Sequence, residues 1–575
     1  MDKQQVSEIF RDIAKLLEMQ GEDPYRIRAY YRAARTVEHL RESLSTIAQR
    51  RALQDIPDIG KTLAREITEL IESGRLRYHE HLKSTVPEGL LPLLRLSSLK
   101  VEQVRVLWRT FDITSMRHLN QAYKEGRLPF DESTLMALGR DLASWERNQQ
   151  RMLLGMALPR AELLVQNLQR LPLVEHISIA GSLRRGVDRV GDINLVMASS
   201  DPARLIQICT RQPEVRQVLQ TTSESATIVT SEGLRVAFVA VPLTSFAPAL
   251  LFYTGSAAHI TALRRLAQQR GLQLTTHALL RHHDASTLPV SSEEDIYHEL
   301  GLAYNSPELR EPPGELEAAA TRTLPRLVGL EDILGDLHVH SNWGNGAHGL
   351  EDIAQAAQRM GYQYVAICDY TYAAETGQGL TPDELSKQIA AIRQLNASLP
   401  PSFRLLAGAE VEISPDGELA FDEAVLHELD IVVAAMHTGY KAPRSQIMRR
   451  LCKAMQHPLV NVLAHPAGRM LGRQEGPSID MEALLETAVD THTCLEINSH
   501  VLRLDLPDRY VRQAKDLGLM LALGSDAHSV QEMRTMRLGV QTARRGWLES
   551  RQLLNALPYQ ELRRRLQEQD AMHAL

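Results

Sequence analysis

The stretch Asp336-Leu-His-Val-His340 sets two imidazoles one residue apart. Alternation along a strand turns His338 and His340 to one face and Val339 away from it. Two imidazoles so placed can grip one metal ion, although the pair alone reads more readily as two surface histidines. The same grammar recurs downstream. The run 404–409 leads to Glu410, 430–436 to His437, 460–464 to His465, and 519–525 to Asp526 and His528. Each run is short and mostly apolar, with a metal-type ligand at or just past its C-terminal end. Histidines scattered at random would not choose that end each time. The chemistry this pattern points to is one metal centre assembled from several strand ends.

Helix-like segments at 351–360, 382–395, 445–456 and 509–517 separate these runs. Alternating strand and helix predicts a parallel sheet, and ligands at the strands' C-terminal ends predict a barrel with the site at its mouth. Ahead of this region, 174–180 reads as a strand that ends in Gly181-Ser-Leu-Arg-Arg-Gly186. A second strand, 191–197, carries Asp192 and Asn194, and a third spans 234–241. Residues 1–80 read as helices, with Val6, Ile9, Phe10, Ile13 and Leu17 in one stripe. Arg28, Arg32 and Arg35 at i, i+4 and i+7 make one helix face basic, with Tyr30 and Tyr31 beside it. A merely solvated face would look the same.

A chain of 575 residues predicts roughly three to five domains. A net charge of −7 excludes a protein basic throughout, so any nucleic-acid surface must be local. Cys209, Cys368, Cys452 and Cys494 are scattered with no Cys-x-x-Cys pair, which fits reduced thiols in a cytoplasm. The N-terminus does not read as a signal peptide, and no run approaches the about 18 apolar residues of a spanning helix.

Residues 334–575 resemble a PHP domain, a metal phosphoesterase of the polymerase and histidinol phosphatase type. The matching motifs are Gly335–His340, Gly408-Ala-Glu410, Met436-His437, Ala464-His-Pro466, Glu496-Ile-Asn498, Arg503-Leu-Asp-Leu506 and Ser525-Asp-Ala-His528. Gly181-Ser182 before a turning segment, then Gly191-Asp192 on a strand, resembles a nucleotidyltransferase palm. Phe252-Tyr-Thr-Gly-Ser256 and Tyr297–Leu302 extend that match into a thumb. Ile56-Pro-Asp-Ile-Gly-Lys61 resembles a helix-hairpin-helix turn, which offers backbone N–H groups to a DNA phosphate. Asp58 stands where a glycine is expected. A second hairpin is expected at 96–101, with Ser98 and Lys100 at glycine positions, and a partial one at Leu138-Gly-Arg140. Together these resemble the bacterial family X DNA polymerases over nearly the whole chain.

The resemblance implies site residues. His338, His340, Glu410 and Asp526 would hold one ion. Glu410 would bridge to a second, held with His437 and His465. An imidazole- and carboxylate-rich set suits Zn²⁺ or Mn²⁺ and the activation of water for attack on phosphorus. A third site would use His528, but Asn345 and Tyr370 stand at its other two positions and leave it empty or weak, with His348 as a conceivable substitute. Arg469 and Arg503 are candidate phosphate clamps, or ordinary salt-bridge partners. In the palm, Gly181, Ser182, Arg185, Gly255 and Ser256 would bind nucleotide. Of three carboxylates for Mg²⁺ only Asp192 is present; Asn194 and Ala237 occupy the other positions, and Glu232 sits in a turn. One carboxylate should not hold two Mg²⁺ ions. His457, His492 and His500 receive no role.

The expectation is therefore a multidomain α/β protein. It comprises a helical DNA-end-binding domain at 1–80, a helical fingers-like domain at 81–150, a palm at 151–245 and a thumb at 246–310. A linker at 311–333 leads to a distorted β/α barrel at 334–575. The expected partner is gapped, nicked or 3′-ended DNA in repair, with nucleotides a further possibility and no membrane. The expected activity is hydrolysis as a 3′-5′ exonuclease or abasic-site endonuclease, with nucleotide addition lost. A decayed DNA-binding scaffold and a phosphatase for small phosphoesters are the alternatives.

Overall fold

A computed structural model describes residues 3–573 except 39, 41–43, 74, 75, 91, 97, 150, 372–378, 441 and 473–475. The chain divides into two compact units. One comprises 1–150 with the segments 440–449 and 477–480, and the other holds the rest.

The first unit is helical. The predicted stripe falls on α1 (Lys3–Gln20), where Val6, Phe10, Ile13 and Leu17 are buried. They pack with residues of α2 (Pro24–Glu38) and α3 (Lys61–Ser73), and the same cluster of buried side chains continues to Leu142. The regions expected as separate domains at 1–80 and 81–150 thus share one core. Leu138-Gly139-Arg140 is no hairpin. It lies inside α4 (Glu132–Gln149), where a Cβ on Gly139 would fall 2.3 Å from the Tyr123 hydroxyl, so the glycine serves close packing. The hairpin expected at 96–101 lies partly outside the described residues, since Ser97 is among the exceptions.

The second unit begins with a five-stranded sheet. Its strands are β1 (His176–Ala180), β2 (Ile193–Ala198), β3 (Val215–Thr221), β4 (Ser225–Thr230) and β5 (Arg235–Val241), in the order β1-β2-β5-β4-β3. Then comes α5 (Ala257–Gln269), whose neighbourhood encloses a buried polar network. Glu293 accepts from Arg184 at 2.7 and 3.0 Å and from Arg310 at 2.7 Å. Arg310 is fully buried against Tyr297 and Tyr304. Residues 311–333 are not a bare connection. The helix Glu315–Thr321 buries Glu315 against His259 at 2.9 Å and Ala319 in the core around α5.

Seven strands follow in sequence order, all parallel: β6 (Gly335–Val339), β7 (Tyr364–Ile367), β8 (Arg404–Glu412), β9 (Ile431–Ala435), β10 (Val462–Leu463), β11 (Cys494–Asn498) and β12 (Leu521–Gly524). Every residue in them except Arg404 is buried, as a sheet covered on both faces requires. The ends curl together. Val339 bridges Ala527, and Asp526 N–H donates to the His338 carbonyl at 2.9 Å. The result is a nearly closed barrel, with the register shift between Asp336 and Val339 marking its distortion. No described helix is long and apolar enough to cross a membrane.

The buried Glu293 network yields a pH test. Burial pushes this carboxyl up, but Arg310 and Arg184 outweigh it and bring it down to about 2. A carboxylate depressed on folding stabilises the fold fully above its unfolded value, and that gain is lost as pH falls toward 2. Glu293→Gln should cost about 3 kcal/mol at pH 7 by leaving the buried Arg310 and the part-buried Arg184 uncompensated. In urea denaturation at a series of pH values, the gap between wild type and variant should close steadily below pH 4.5.

Candidate metal centre

The barrel brings six of the predicted residues into one cluster. β6 places His338 inside the strand and His340 one residue past it, both buried. β8 continues two residues beyond Glu410, so this carboxylate points inward from within the strand and does not end it. His437, His465 and Asp526 each follow a strand end, as expected. His465 and Asp526 have φ of 30° and 52°, turning sharply off β10 and β12.

Glu410 organises the cluster. Its Oε2 lies 3.3 Å from His338 Nε2 and 3.6 Å from His340 Nε2. Its Oε1 lies 3.1 Å from His437 Nε2 and 3.0 Å from His465 Nε2. Asp526 Oδ1 completes the first side, 3.2 Å from His340 Nε2. Two ligand groups result, His338–His340–Asp526 and Glu410–His437–His465, with the donor atoms of each within 4.8 Å of one another. His338 Nε2, His437 Nε2 and Glu410 Oε2 are buried without a hydrogen-bond partner. Buried polar atoms are rarely left so, and this donor set fits divalent cations.

Electrostatics match. Burial would raise Glu410, but His437 and His338 hold it well below the usual carboxylate range. Burial would lower His338, yet Glu496 and Glu410 carry it well above the ordinary imidazole value. The same opposition takes His437 up to about 10, through Glu410 and Glu412. The cluster holds negative charge that something positive must balance, either protons or metal.

Two further carboxylates orient the imidazoles. Glu496 accepts from His338 Nδ1 at 2.7 Å and from the His465 backbone N–H at 2.7 Å. Glu412 lies 2.6 Å from His437 Nδ1 and is itself paired with Arg450 at 2.9 Å. Glu412 was not anticipated as a functional residue, although its place two residues after Glu410 on one strand was the available signal. Asn498 donates to both Glu496 and Asp526 at 3.1 Å.

The third expected position differs. Tyr370 stacks on His340 at 4.6 Å between ring centroids, and His528 stacks on the same ring at 4.2 Å. His528 Nδ1 lies 3.0 Å from the Asp526 carbonyl, and its ring belongs to neither ligand group. Asn345 is exposed. His348 Nδ1 accepts from the Val530 N–H at 3.4 Å. Arg469 pairs with Asp188 at 3.1 Å and donates to the Arg503 carbonyl at 3.0 Å, contacts that accord with its alternative reading as a salt-bridge partner. Arg503 reaches Asp526 Oδ2 at 3.4 Å and stays beside the cluster.

In the five-stranded sheet, Gly181, with φ of 67°, begins a short helical turn after β1. Asn194 and Ala237 face each other across β2 and β5. Asp192 pairs with Arg235 at 3.3 Å, and Glu232 pairs with Arg160 at 3.3 Å in the turn before β5. Arg185 pairs with Glu311 at 2.8 Å and donates to the Thr254 carbonyl beside Gly255. Ser256 caps α5 by accepting from His259 N–H at 3.3 Å. The expected nucleotide-binding residues therefore gather in one place, but Arg185 and Ser256 already have partners within the protein. No carboxylate joins Asp192 from β5.

Residues 1–76 match the helix-hairpin-helix domain, and 249–311 match the DNA polymerase beta thumb. The chain is 32% identical to the DNA polymerase/3′-5′ exonuclease PolX of Bacillus subtilis over 566 residues, 97% of this chain and 98% of that protein. It belongs to the family X DNA polymerases. The chain is also 24% identical to DNA polymerase lambda of Rattus norvegicus, over 53% of this chain and 56% of that one. Residues amounting to 38% of the chain are 26% identical to a probable phosphatase of Syntrophotalea carbinolica, covering 90% of its length.

The helix-hairpin-helix and thumb domains of family X polymerases bind DNA. Here the hairpin borders a cavity of about 660 Å³ lined by Tyr25, Arg26, Arg32, Asp58 and Lys61 among others. Asp58 takes the left-handed φ of 63° that the expected glycine would adopt, and its carboxylate lies 3.7 Å from Arg32.

Support of the ligands is testable. A Cβ on Gly524 would fall 2.1 Å from Glu496 Oε1 and 2.6 Å from His338 Cβ. Gly524→Ala and Glu496→Gln should each weaken metal binding by about 10- to 100-fold in a competition titration, with the circular dichroism spectrum retained. Because the ligand imidazoles must shed protons, metal affinity should fall as pH is lowered from 8 to 6.

Proposed function

We propose that this family X member is a metal-dependent phosphoesterase that hydrolyses DNA from its 3′ end, and that it has lost nucleotide addition. The carrying observation is the bridging posture of Glu410, one oxygen to each pair of imidazoles. A carboxylate shared between two ligand groups suits two cations, and the imidazole-rich set favours Zn²⁺ or Mn²⁺. His338, His340 and Asp526 would hold one ion and Glu410, His437 and His465 the pair's other member. Bound there, the ions would polarise the phosphodiester and lower the pKa of water. Glu496 and Glu412 fix the tautomer and orientation of His338 and His437, and Arg503 stands where it can meet a phosphate oxygen.

The palm supports the second half of the reading. Two Mg²⁺ ions need clustered anionic ligands, and Asp192 alone is present, already paired with Arg235. In this reading the helices of 1–150 and the thumb at 246–310 hold DNA, the palm at 151–245 serves as scaffold, and 334–575 carries the chemistry. The thiols, none bonded to another, accord with a cytoplasmic protein. The similarity to a probable phosphatase keeps a small-phosphoester substrate as the second reading.

With Mn²⁺ supplied, the purified protein should shorten a 3′-recessed duplex, and His338→Ala/His340→Ala should abolish this. Gapped DNA with nucleotides and Mg²⁺ or Mn²⁺ should show no extension. Robust extension that disappears in Asp192→Ala would overturn the loss of nucleotide addition. Hydrolysis of a free mononucleotide but not of DNA would favour the second reading.

A further inference from the structure

The loop after β6 carries an indole for which the metal centre has no use. It runs Ser341-Asn-Trp-Gly-Asn-Gly346 and is tied to the site at both ends. Ser341 N–H donates to Asp369 at 2.7 Å, and the Ser341 hydroxyl donates to the other oxygen of the same carboxylate. Ala347 N–H donates to the His528 carbonyl at 2.7 Å. Its glycines are pressed against the site. A Cβ on Gly344 would fall 2.7 Å from Asp369 Oδ1, and one on Gly346 would fall 2.5 Å from the His340 carbonyl. This loop is held firmly, yet Trp343 remains 37% exposed.

Its position sets Trp343 apart. The other large exposed apolar side chains of the barrel region are Leu330, Met360 and Leu517. Leu330 precedes β6, while Met360 and Leu517 follow the C-termini of helices that run back from the mouth. Those three therefore lie at the opposite end from the metal centre. Among the exposed large apolar side chains of the described residues in 334–575, Trp343 alone follows the C-terminal end of a barrel strand. The cluster opens on the same side, since His528, whose carbonyl anchors the loop, is 30% exposed and His437 is 24% exposed. An exposed indole on a rigid loop beside a phosphate-cleaving centre has a natural occupant. Every nucleobase offers a π-face, and stacking on an aromatic ring requires no particular sequence. Asn342 and Asn345, both exposed, flank it with amides that can meet base edges.

We infer that Trp343 stacks on a nucleobase of the 3′-terminal segment and makes single-stranded DNA ends, not small phosphoesters, the preferred substrate of this centre. This rests on the phosphoesterase reading above and narrows it. The base must leave its duplex stack to reach the indole, so an unpaired 3′ end is favoured over a blunt one.

The test compares a short single-stranded oligonucleotide with glycerol 2-phosphate, a small ester that carries no aromatic ring, in the full-length protein with Mn²⁺. Trp343→Ala should lower the ratio of kcat/KM values, oligonucleotide over small ester, by about tenfold. Trp343→Phe should restore most of it. An unchanged ratio in Trp343→Ala, or an equal loss on both substrates, would overturn the inference. If the wild type cleaves neither substrate, the phosphoesterase reading fails, and binding still decides the role of Trp343. Adding the oligonucleotide should quench wild-type tryptophan emission, and Trp343→Phe should lack that component. Identical quenching in the two proteins would assign it to another of the four tryptophans and overturn the inference.

Discussion

A carboxylate sealed inside a barrel cannot remain charged without compensation. Glu410 is 1% exposed, and the four imidazoles around it are what make its burial tolerable. Much of the architecture follows from that constraint. The imidazoles come from three strand ends, those of β6, β9 and β10, and the carboxylate from β8, so these strands must lie in register within one sheet. Closure of the sheet through Val339 and Ala527 then sets Asp526 against His340. The centre and the barrel are therefore specified by the same contacts.

Compensation reaches outward in layers. Glu496 and Glu412 bind the far nitrogens of His338 and His437, and Arg450 balances Glu412 in turn. Asn498 spans Glu496 and Asp526. Removal of any member leaves a buried polar group unpaired. The five-stranded sheet shows the reverse. Asp192 lies partly exposed beside Arg235, and its neighbours Asn194 and Ala237 carry no charge that a cation must offset. Carboxylates are concentrated in the barrel, whereas Asp192 stands beside uncharged neighbours in the five-stranded sheet.

Much of this was legible in the sequence because period-two alternation leaves little choice about which way His338 and His340 point. The strand ends at His437, His465 and Asp526 were legible because each ligand closes a short, mostly apolar run. Glu410 was placed at the end of its run because the run 404–409 before it is mostly apolar. In the barrel it is the pairing with imidazoles that lets β8 continue inward to Glu412. Long-range ion pairs were not legible at all. Arg185 meets Glu311 across 126 positions and Arg469 meets Asp188 across 281, and nothing local distinguishes such arginines from phosphate clamps. The glycine of Leu138-Gly139-Arg140 misled because a glycine chosen for close approach to a tyrosine reads like one chosen for a turn. Residues 311–333 carry Pro312-Pro313-Gly314, which signals a connection, while the burial of Glu315 against His259 depends on a partner 56 positions away.

The central claim is that Glu410 serves both ligand groups at once. Titration of Mn²⁺ into metal-stripped wild type, His437→Ala and Glu410→Ala measures this directly. The account predicts two ions, one ion and no tightly held ion, respectively. A Glu410→Ala protein that still binds one ion as tightly as His437→Ala does would contradict it, and would show two sites that do not share a carboxylate.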